Sequence, residues 1–309
     1  MRIIFMGTPD FAVPCLDVVA KEHELLAVVT QPDRPKGRGK KLAAPPVKEK
    51  ALEYGVKVYQ PQRVRNEEFI NTIKEYKPDC IVVVAFGQIL PKELLDIPKF
   101  GCINVHASLL PKYRGAAPIN WAIINGEKTT GVTTMYMDVG LDTGDMILKS
   151  EVEIGQMTAG ELHDELMIDG AELLKSTLKE ISENKAPREK QKDEESSYAP
   201  IMDKKLGEID WNKTNEDIRN LIRGVNPWPS AYSTYDGVKF KIWNCELKNV
   251  DDEKGKNGEI LHVSKEGILV KTSTGALLIT EIQFPNSKRM KVDAYLRGND
   301  LEKGIILGA

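Results

Sequence analysis

The period of apolar and polar positions changes several times along the chain. Residues 2–7 are an apolar run that reads as a strand. Thr8-Pro9 follows as an expected N-cap and first helical residue, with a helix through Phe11, Val13, Leu16, Val18 and Val19. Leu25–Thr30 reads as a second strand, 31–46 as a long loop, 47–54 as a helix and Val56–Tyr59 as a short strand. Glu67–Tyr76 places Phe69, Ile70 and Ile73 on one side of a helix. Cys80–Phe86 is uniformly apolar, as expected of a strand covered on both faces. A short helix precedes a strand at Cys102–His106, and Ala116–Asn125 is helical again. Residues 131–137 and 146–154 read as a hairpin around the loop Asp138–Asp145, before a long amphipathic helix over Thr158–Glu183.

This alternation predicts an α/β domain over residues 1–184, with a Rossmann-like, mainly parallel sheet and helices on both faces. Residues 185–206 are largely polar and read as a linker. Beyond Gly207 one small helix, Asn215–Gly224, is followed by five short strand-like runs. These are Ser230–Tyr235, Lys239–Glu246, Gly258–Val263, Gly267–Lys271 and Ala276–Phe284. They predict a small C-terminal β-barrel, with the oligonucleotide-binding (OB) fold as the leading candidate, over 207–309.

Composition narrows the class. With 309 residues, 41% apolar and 29% charged, the chain reads as an ordinary soluble protein of two domains. No apolar run approaches the roughly 20 residues that span a membrane, and the first strand does not read as a secretory signal. Cys15, Cys80, Cys102 and Cys245 are scattered, which fits free thiols in a reducing cytoplasm. The four histidines have no zinc-site spacing, so no metal is expected. A net charge of −3 argues against a protein that coats nucleic acid, though an average hides local patches.

The first strand–helix turn, Gly7-Thr8-Pro9-Asp10-Phe11, has one glycine where a dinucleotide fingerprint needs three, and no Gly-x-x-x-x-Gly-Lys occurs. Asn104 and His106, two apart on a strand, share one face. A neutral amide donor beside an imidazole suits a reaction that develops charge on oxygen while moving a proton, as in acyl transfer. A carboxylate to complete the set lies in Asp138-Val139-Gly140-Leu141-Asp142-Thr143-Gly144-Asp145. Asp142 is preferred there, although spacing alone does not choose among Asp138, Asp142 and Asp145.

Asn104-x-His106, Ser108-Leu109-Leu110-Pro111-Lys112-Tyr113-Arg114-Gly115 and Gly140-Leu141-Asp142-Thr143-Gly144, in that order, resemble the active-site pattern of the folate-dependent formyltransferases. Gly7–Phe11, Gln31-Pro32-Asp33-Arg34-Pro35, Gly37–Lys41 and Asn226-Pro227-Trp228-Pro229 extend the resemblance towards the members that act on charged initiator tRNA.

The resemblance implies formyl transfer from the co-substrate 10-formyltetrahydrofolate to the amino group of methionine on initiator methionyl-tRNA. It makes Asn104 the oxyanion donor, His106 a stabiliser and proton carrier, and Asp142 its orienting partner and relay. It places the folate against Phe86, Gly87, Gln88, Ile89, Leu90 and Pro91, against Ser108, Leu109, Leu110 and Pro111, and against Asp138, Val139, Gly140 and Leu141. The loop carrying Arg34, Lys36, Arg38, Lys40 and Lys41 would meet the acceptor end of the tRNA, with Arg38 as the main contact. Apart from the resemblance, an oligonucleotide-binding fold makes Lys239, Lys241, Lys288, Arg289 and Lys291, with Arg188, Lys190 and Lys192 in the connector, further candidate cations for RNA. None is individually specific against an ordinary surface role.

Residues 207–309 hold 15 Lys/Arg against 15 Asp/Glu, so this half is not basic overall. Trp211, Trp228 and Trp243 are expected to anchor the small core or a domain interface. The rival readings are a formyltransferase for a small amine, such as an amino-sugar nucleotide or glycinamide ribonucleotide, and a non-catalytic RNA adaptor. The cation-rich loop and second domain weigh against the first, and the Asn-His-Asp set against the second. A monomer in the cytoplasm, away from membranes, completes the expectation.

Overall fold

A computed structural model describes residues 1–36, 41–248 and 255–309. The chain divides into two compact units. One comprises 1–118, 129–153 and 163–199; the other comprises 119–128, 154–162 and 200–309.

In the first unit β1 (Arg2–Gly7) and β2 (Glu24–Val29) lead to a two-stranded ribbon of β3 (Arg34–Lys36) and β4 (Lys41–Ala43). This ribbon stands inside the stretch expected to be a plain loop. β5 (Val58–Tyr59), β6 (Cys80–Val84), β7 (Cys102–His106), β8 (Arg114–Gly115), β9 (Thr129–Tyr136) and β10 (Met146–Glu153) follow, and β11 (Tyr198–Ala199) pairs with β8. The main sheet has the order β10-β9-β7-β6-β1-β2-β5. Its pairs from β7 through β5 are parallel, whereas β9 runs antiparallel to both β7 and β10.

Burial follows that order. β6 is buried at all five positions, as a central strand with two covered faces must be, while edge strand β10 alternates half-buried and exposed after its first two residues. The helix Ala159–Ser182 lays its residues 163–182 on the sheet. Gly170 lets it approach Val105 and Val132, and Thr177 shares a buried 2.7 Å hydroxyl hydrogen bond with Thr134. Val105 therefore faces this helix, and Asn104 and His106 face the other side.

One expected cap is not made. The Thr8 hydroxyl donates to the Phe86 carbonyl at 3.1 Å, and a 3-10 turn at Asp10–Ala12 opens the helix Val13–Glu22. Thr8 is thus spent tying the end of β1 to the loop after β6.

In the second unit β12 (Ala231–Tyr235), β13 (Val238–Lys248), β14 (Ile260–Ser264), β15 (Gly267–Lys271), β16 (Ala276–Gln283) and β17 (Met290–Lys291) are antiparallel. The order β12-β13-β16-β15-β14 adds β17 on β16, one strand more than the five expected. The terminal segment bridges the two edge strands. Ile260 N donates to Ile305 O and Gly304 N to Ile260 O, both at 2.8 Å, and Gly308 N donates to Thr234 O at 3.0 Å. The edges are thereby covered.

Inside this unit Phe240 stacks on Phe284 with ring centroids 4.8 Å apart, and Trp211 is 4% exposed with Nε1 donating to Ser233 Oγ. Trp228 does not anchor a core. It is 55% exposed, because Pro227 and Pro229 hold its short segment outside the strands. Trp243 is half-buried on the outer face of β13, since Phe240 and Ile242 take the inner positions. Among the described residues no helix is long and apolar enough to cross a membrane.

Candidate active site

The parallel strands β1, β2, β6 and β7 deliver their carboxyl ends to one edge of the sheet, the usual crevice for ligands in such sheets. His106 closes β7 there. Its Nε2 lies 2.9 Å from the Tyr113 carbonyl oxygen and its Nδ1 lies 3.7 Å from Asp142 Oδ2. Carbonyl oxygen only accepts, so Nε2 carries the hydrogen and donates. In the neutral ring Nδ1 is then a bare acceptor facing the Asp142 carboxylate.

Asn104, one pleat earlier, is 8% exposed, and among the described residues none hydrogen-bonds its side-chain amide. It is not among the fully buried groups left without a partner, so the amide still reaches solvent and can meet a ligand.

Asp142 arrives from the far end of β7. Because β9 is antiparallel to β7, Tyr136 lies opposite Ile103 and His106 lies opposite Thr133. The 138–145 loop thus leaves the sheet three residues of strand, about 10 Å, from His106 and turns back to bring a carboxylate to it. Gly144 sits so close to the Tyr136 carbonyl that a methyl group there would collide with it. Asp142 itself adopts φ +53°, and Tyr113 on the other flank adopts φ +60°. Left-handed backbone at a non-glycine residue costs about 1–2 kcal/mol and persists only where neighbours fix it. Asp142 Oδ2 accepts from the Gly115 N–H at 2.8 Å, which fixes the carboxylate against the 113–115 turn.

The other two aspartates are spent elsewhere. Asp138 Oδ1 accepts from Val139 N, and Asp145 faces Arg188 at 3.7 Å.

The remaining expected residues divide by environment. Phe86, Leu90 and Leu110 are buried, and Leu110 packs with Met135 and Met146. Ser108 is fully buried, its hydroxyl donating to Lys112 O at 2.7 Å. Gln88 turns its amide to the backbone of Val64 and Pro61, so its side chain is structural. Ile89, Val139 and Leu141 are 68%, 62% and 51% exposed, an unusual display of apolar surface around the site loops. Pro91 precedes the short helix Lys92–Leu95, while Gly87, at φ +83°, and Gly140 shape their turns.

A surface hollow of 610 Å³ lies elsewhere, by Lys77 and Asp79 at the amino end of β6, and holds no candidate residue.

Among the cations, Arg34 is exposed and its Nη2 reaches Gln31 Oε1 at 3.4 Å, while Arg38 and Lys40 lie outside the described residues. Lys36 and Lys41 pair through their backbone in the β3–β4 ribbon. Below that ribbon Asp33 accepts from Lys48 and Gln60, and these bonds hold its carboxyl below the usual range. Arg188 stacks on Tyr136 at 3.6 Å, Lys192 pairs with Glu195, and Lys190 has no ion pair among the described residues. Lys239 sits 3.0 Å from the Tyr232 ring centre, and Lys241 and Arg289 flank Trp243. Lys288 and Lys291 are exposed.

Sequence reasoning missed the residues that hold this site together. Gln191, Ser197, Tyr198 and Ala199 all reach the 113–115 or 142–144 turns from the expected linker. Their signal is long-range pairing, which no local period carries.

The class of protein is defined by two matches. Residues 1–178 match the formyl transferase family and residues 201–300 match the formyl transferase C-terminal domain. The chain belongs to the formyl transferase family. It is 63% identical to the methionyl-tRNA formyltransferase of Clostridioides difficile strain 630, over all of both chains. It is 59% identical to that of Clostridium tetani, with 99% of each chain covered. Among solved structures it is similar to WlaRD, a sugar 3N-formyl transferase crystallised with dTDP and 5-N-formyl-THF. That match has a TM-score of 0.69 and 22% identity, covering 93% of this chain and 99% of that one, and it speaks to the fold alone.

Proposed function

We propose that this chain transfers the formyl group of 10-formyltetrahydrofolate to the α-amino group of methionine on initiator methionyl-tRNA. The observation that carries the chemistry is the Asn104 amide, free of hydrogen-bond partners among the described residues, beside a His106 ring held between a carbonyl and Asp142. The full-length likeness to methionyl-tRNA formyltransferases supports the acceptor. So do the exposed cations Arg34, Lys190, Lys239, Lys241 and Arg289.

The methionine amine attacks the formyl carbon, and the carbonyl π pair moves onto oxygen. Asn104 donates to that oxyanion, where a preformed donor contributes most. The attacking nitrogen gives up one proton, which the His106–Asp142 pair takes up and returns to the departing folate nitrogen as the carbon–nitrogen bond breaks. The exposed Ile89, Val139 and Leu141 supply apolar surface for the folate rings.

The test is formylation by the purified protein of charged initiator tRNA, free methionine and a panel of small amines including amino-sugar nucleotides. Product on charged tRNA alone is expected. Product on a small amine alone overturns the assignment.

A further inference from the structure

Residues 189–199 run back over the first unit and fasten both flanks of His106. Glu189 exchanges two backbone hydrogen bonds with Met146, at 2.8 and 3.0 Å, at the foot of the 138–145 loop. Gln191 Nε2 donates to the Asp142 carbonyl at 2.8 Å and to the Gly144 carbonyl at 2.9 Å. Its Oε1 accepts from Arg114 Nε at 2.9 Å, and Arg114 also reaches Asp193. Ser197 takes the Tyr113 N–H on its hydroxyl and the Arg114 N–H on its carbonyl, both at 2.9 Å. Tyr198 and Ala199 then pair in parallel with Arg114 and Gly115. A methyl on Gly115 would lie 2.7 Å from the Ala199 oxygen, so that turn is shaped to receive the segment.

We propose that this segment positions the Asp142 carboxylate and that Gln191 is its central positioning residue, acting through Asp142 and not on substrate. The inference rests on the reading of Asp142 as part of the proton relay. A primary amide offers two donors and an acceptor in one planar group, and Gln191 uses all three. The donors close the loop that has travelled back from the level of Ile103, and the acceptor joins it to the turn whose Tyr113 carbonyl orients His106. No charged side chain of this size can do both, because a carboxylate would face two carbonyl oxygens.

The experiment measures kcat, KM for charged tRNA and thermal midpoint for Gln191→Leu and Gln191→Glu, each in the native and the Asp142→Asn backgrounds. Displacing a reacting group by about 1 Å costs about 10²-fold, so a 10- to 100-fold fall in kcat is expected for both variants. KM for tRNA should hold, and the thermal midpoint should fall by no more than a few degrees as the lost hydrogen bonds are local. In the Asp142→Asn background the same substitutions should change kcat less than about threefold, since the group they position no longer relays protons. Full kcat in Gln191→Glu, which keeps the volume and the Arg114 contact, overturns the proposal. So does an effect of undiminished size on top of Asp142→Asn, or one confined to KM. Should Gln191→Leu fail to fold, Gln191→Glu decides alone. If instead Asp142→Asn itself retains full activity, the relay reading fails, a result distinct from any outcome at Gln191.

Discussion

His106 and Asn104 are 6% and 8% exposed at the end of β7, whereas Lys239, Lys241 and Arg289 stand exposed on and beside the outer face of β13. In the first place His106 and Asp142 are each held from two sides, and even the backbone adopts left-handed conformations to keep the geometry. In the second the cations rest on Tyr232 and Trp243, with Glu281 paired to Arg289. The difference fits the tasks proposed for the two places. Proton transfer demands fixed distances, while a phosphate backbone demands accessible charge that can adjust to it. A change in the pocket should therefore act on turnover, and a change on the face should act on affinity and its salt dependence.

The largest expected effect that separates the two regions is His106→Ala. Turnover should fall by about 10²–10⁴ with tRNA affinity intact, measured by single-turnover formylation beside a binding titration. A loss below tenfold would remove the pocket from the chemistry. Next, Lys239→Ala, Lys241→Ala and Arg289→Ala combined should leave the saturated rate unchanged. The slope of log affinity against log salt should drop by about 2–3 if each cation meets one phosphate. An unchanged slope would move the RNA contacts off this face.

A weaker effect appears on the alkaline side. Burial pushes the thiols of Cys15, Cys80 and Cys245 up to about 12, and that of Cys102 upward as well. Unfolded thiols ionise near 9, so between about 9 and 12 the native state binds more protons than the unfolded chain. Stability is then whole below that window and falls as pH rises through it, which urea midpoints against pH would show. A thiol that reacts quickly with a disulfide reagent at pH 8 in the folded protein would contradict this.

The smallest effect concerns Glu161, whose carboxylate accepts the Thr158 N–H and hydroxyl at 2.8 Å. The backbone bond first, then the hydroxyl, holds its carboxyl below the usual range, so this contribution is present above the unfolded value and lost as pH falls through the folded one. Glu161→Gln should cost about 0.5 kcal/mol near neutral pH and nothing in acid, the low end for a cap because the group is exposed. Equal cost at both pH values would show that the carboxylate charge is idle.

Much of this was legible in the chain. The two-residue spacing of Asn104 and His106 put both on one face of a strand, and the apolar run at 80–86 announced a central strand. The choice of Asp142 over Asp138 and Asp145 was not written in spacing, because it depends on a loop turning back from the opposite end of β7. Thr8 looked like a cap until Phe86, far along the chain, claimed its hydroxyl. Trp228 looked like an anchor, since hydrophobicity does not tell which side of a proline-bounded turn faces water. The polar composition of 184–197 disguised a segment held by long-range backbone pairing, which composition cannot register.

Asn104→Ala tests the account most directly, because removal of one amide leaves His106, Asp142 and every exposed cation in place. Single-turnover formylation of charged initiator tRNA, paired with its equilibrium binding, should show the rate reduced by about 10²–10³ with binding unchanged. A variant that formylates at the native rate, or one that loses binding and rate in equal measure, would contradict it.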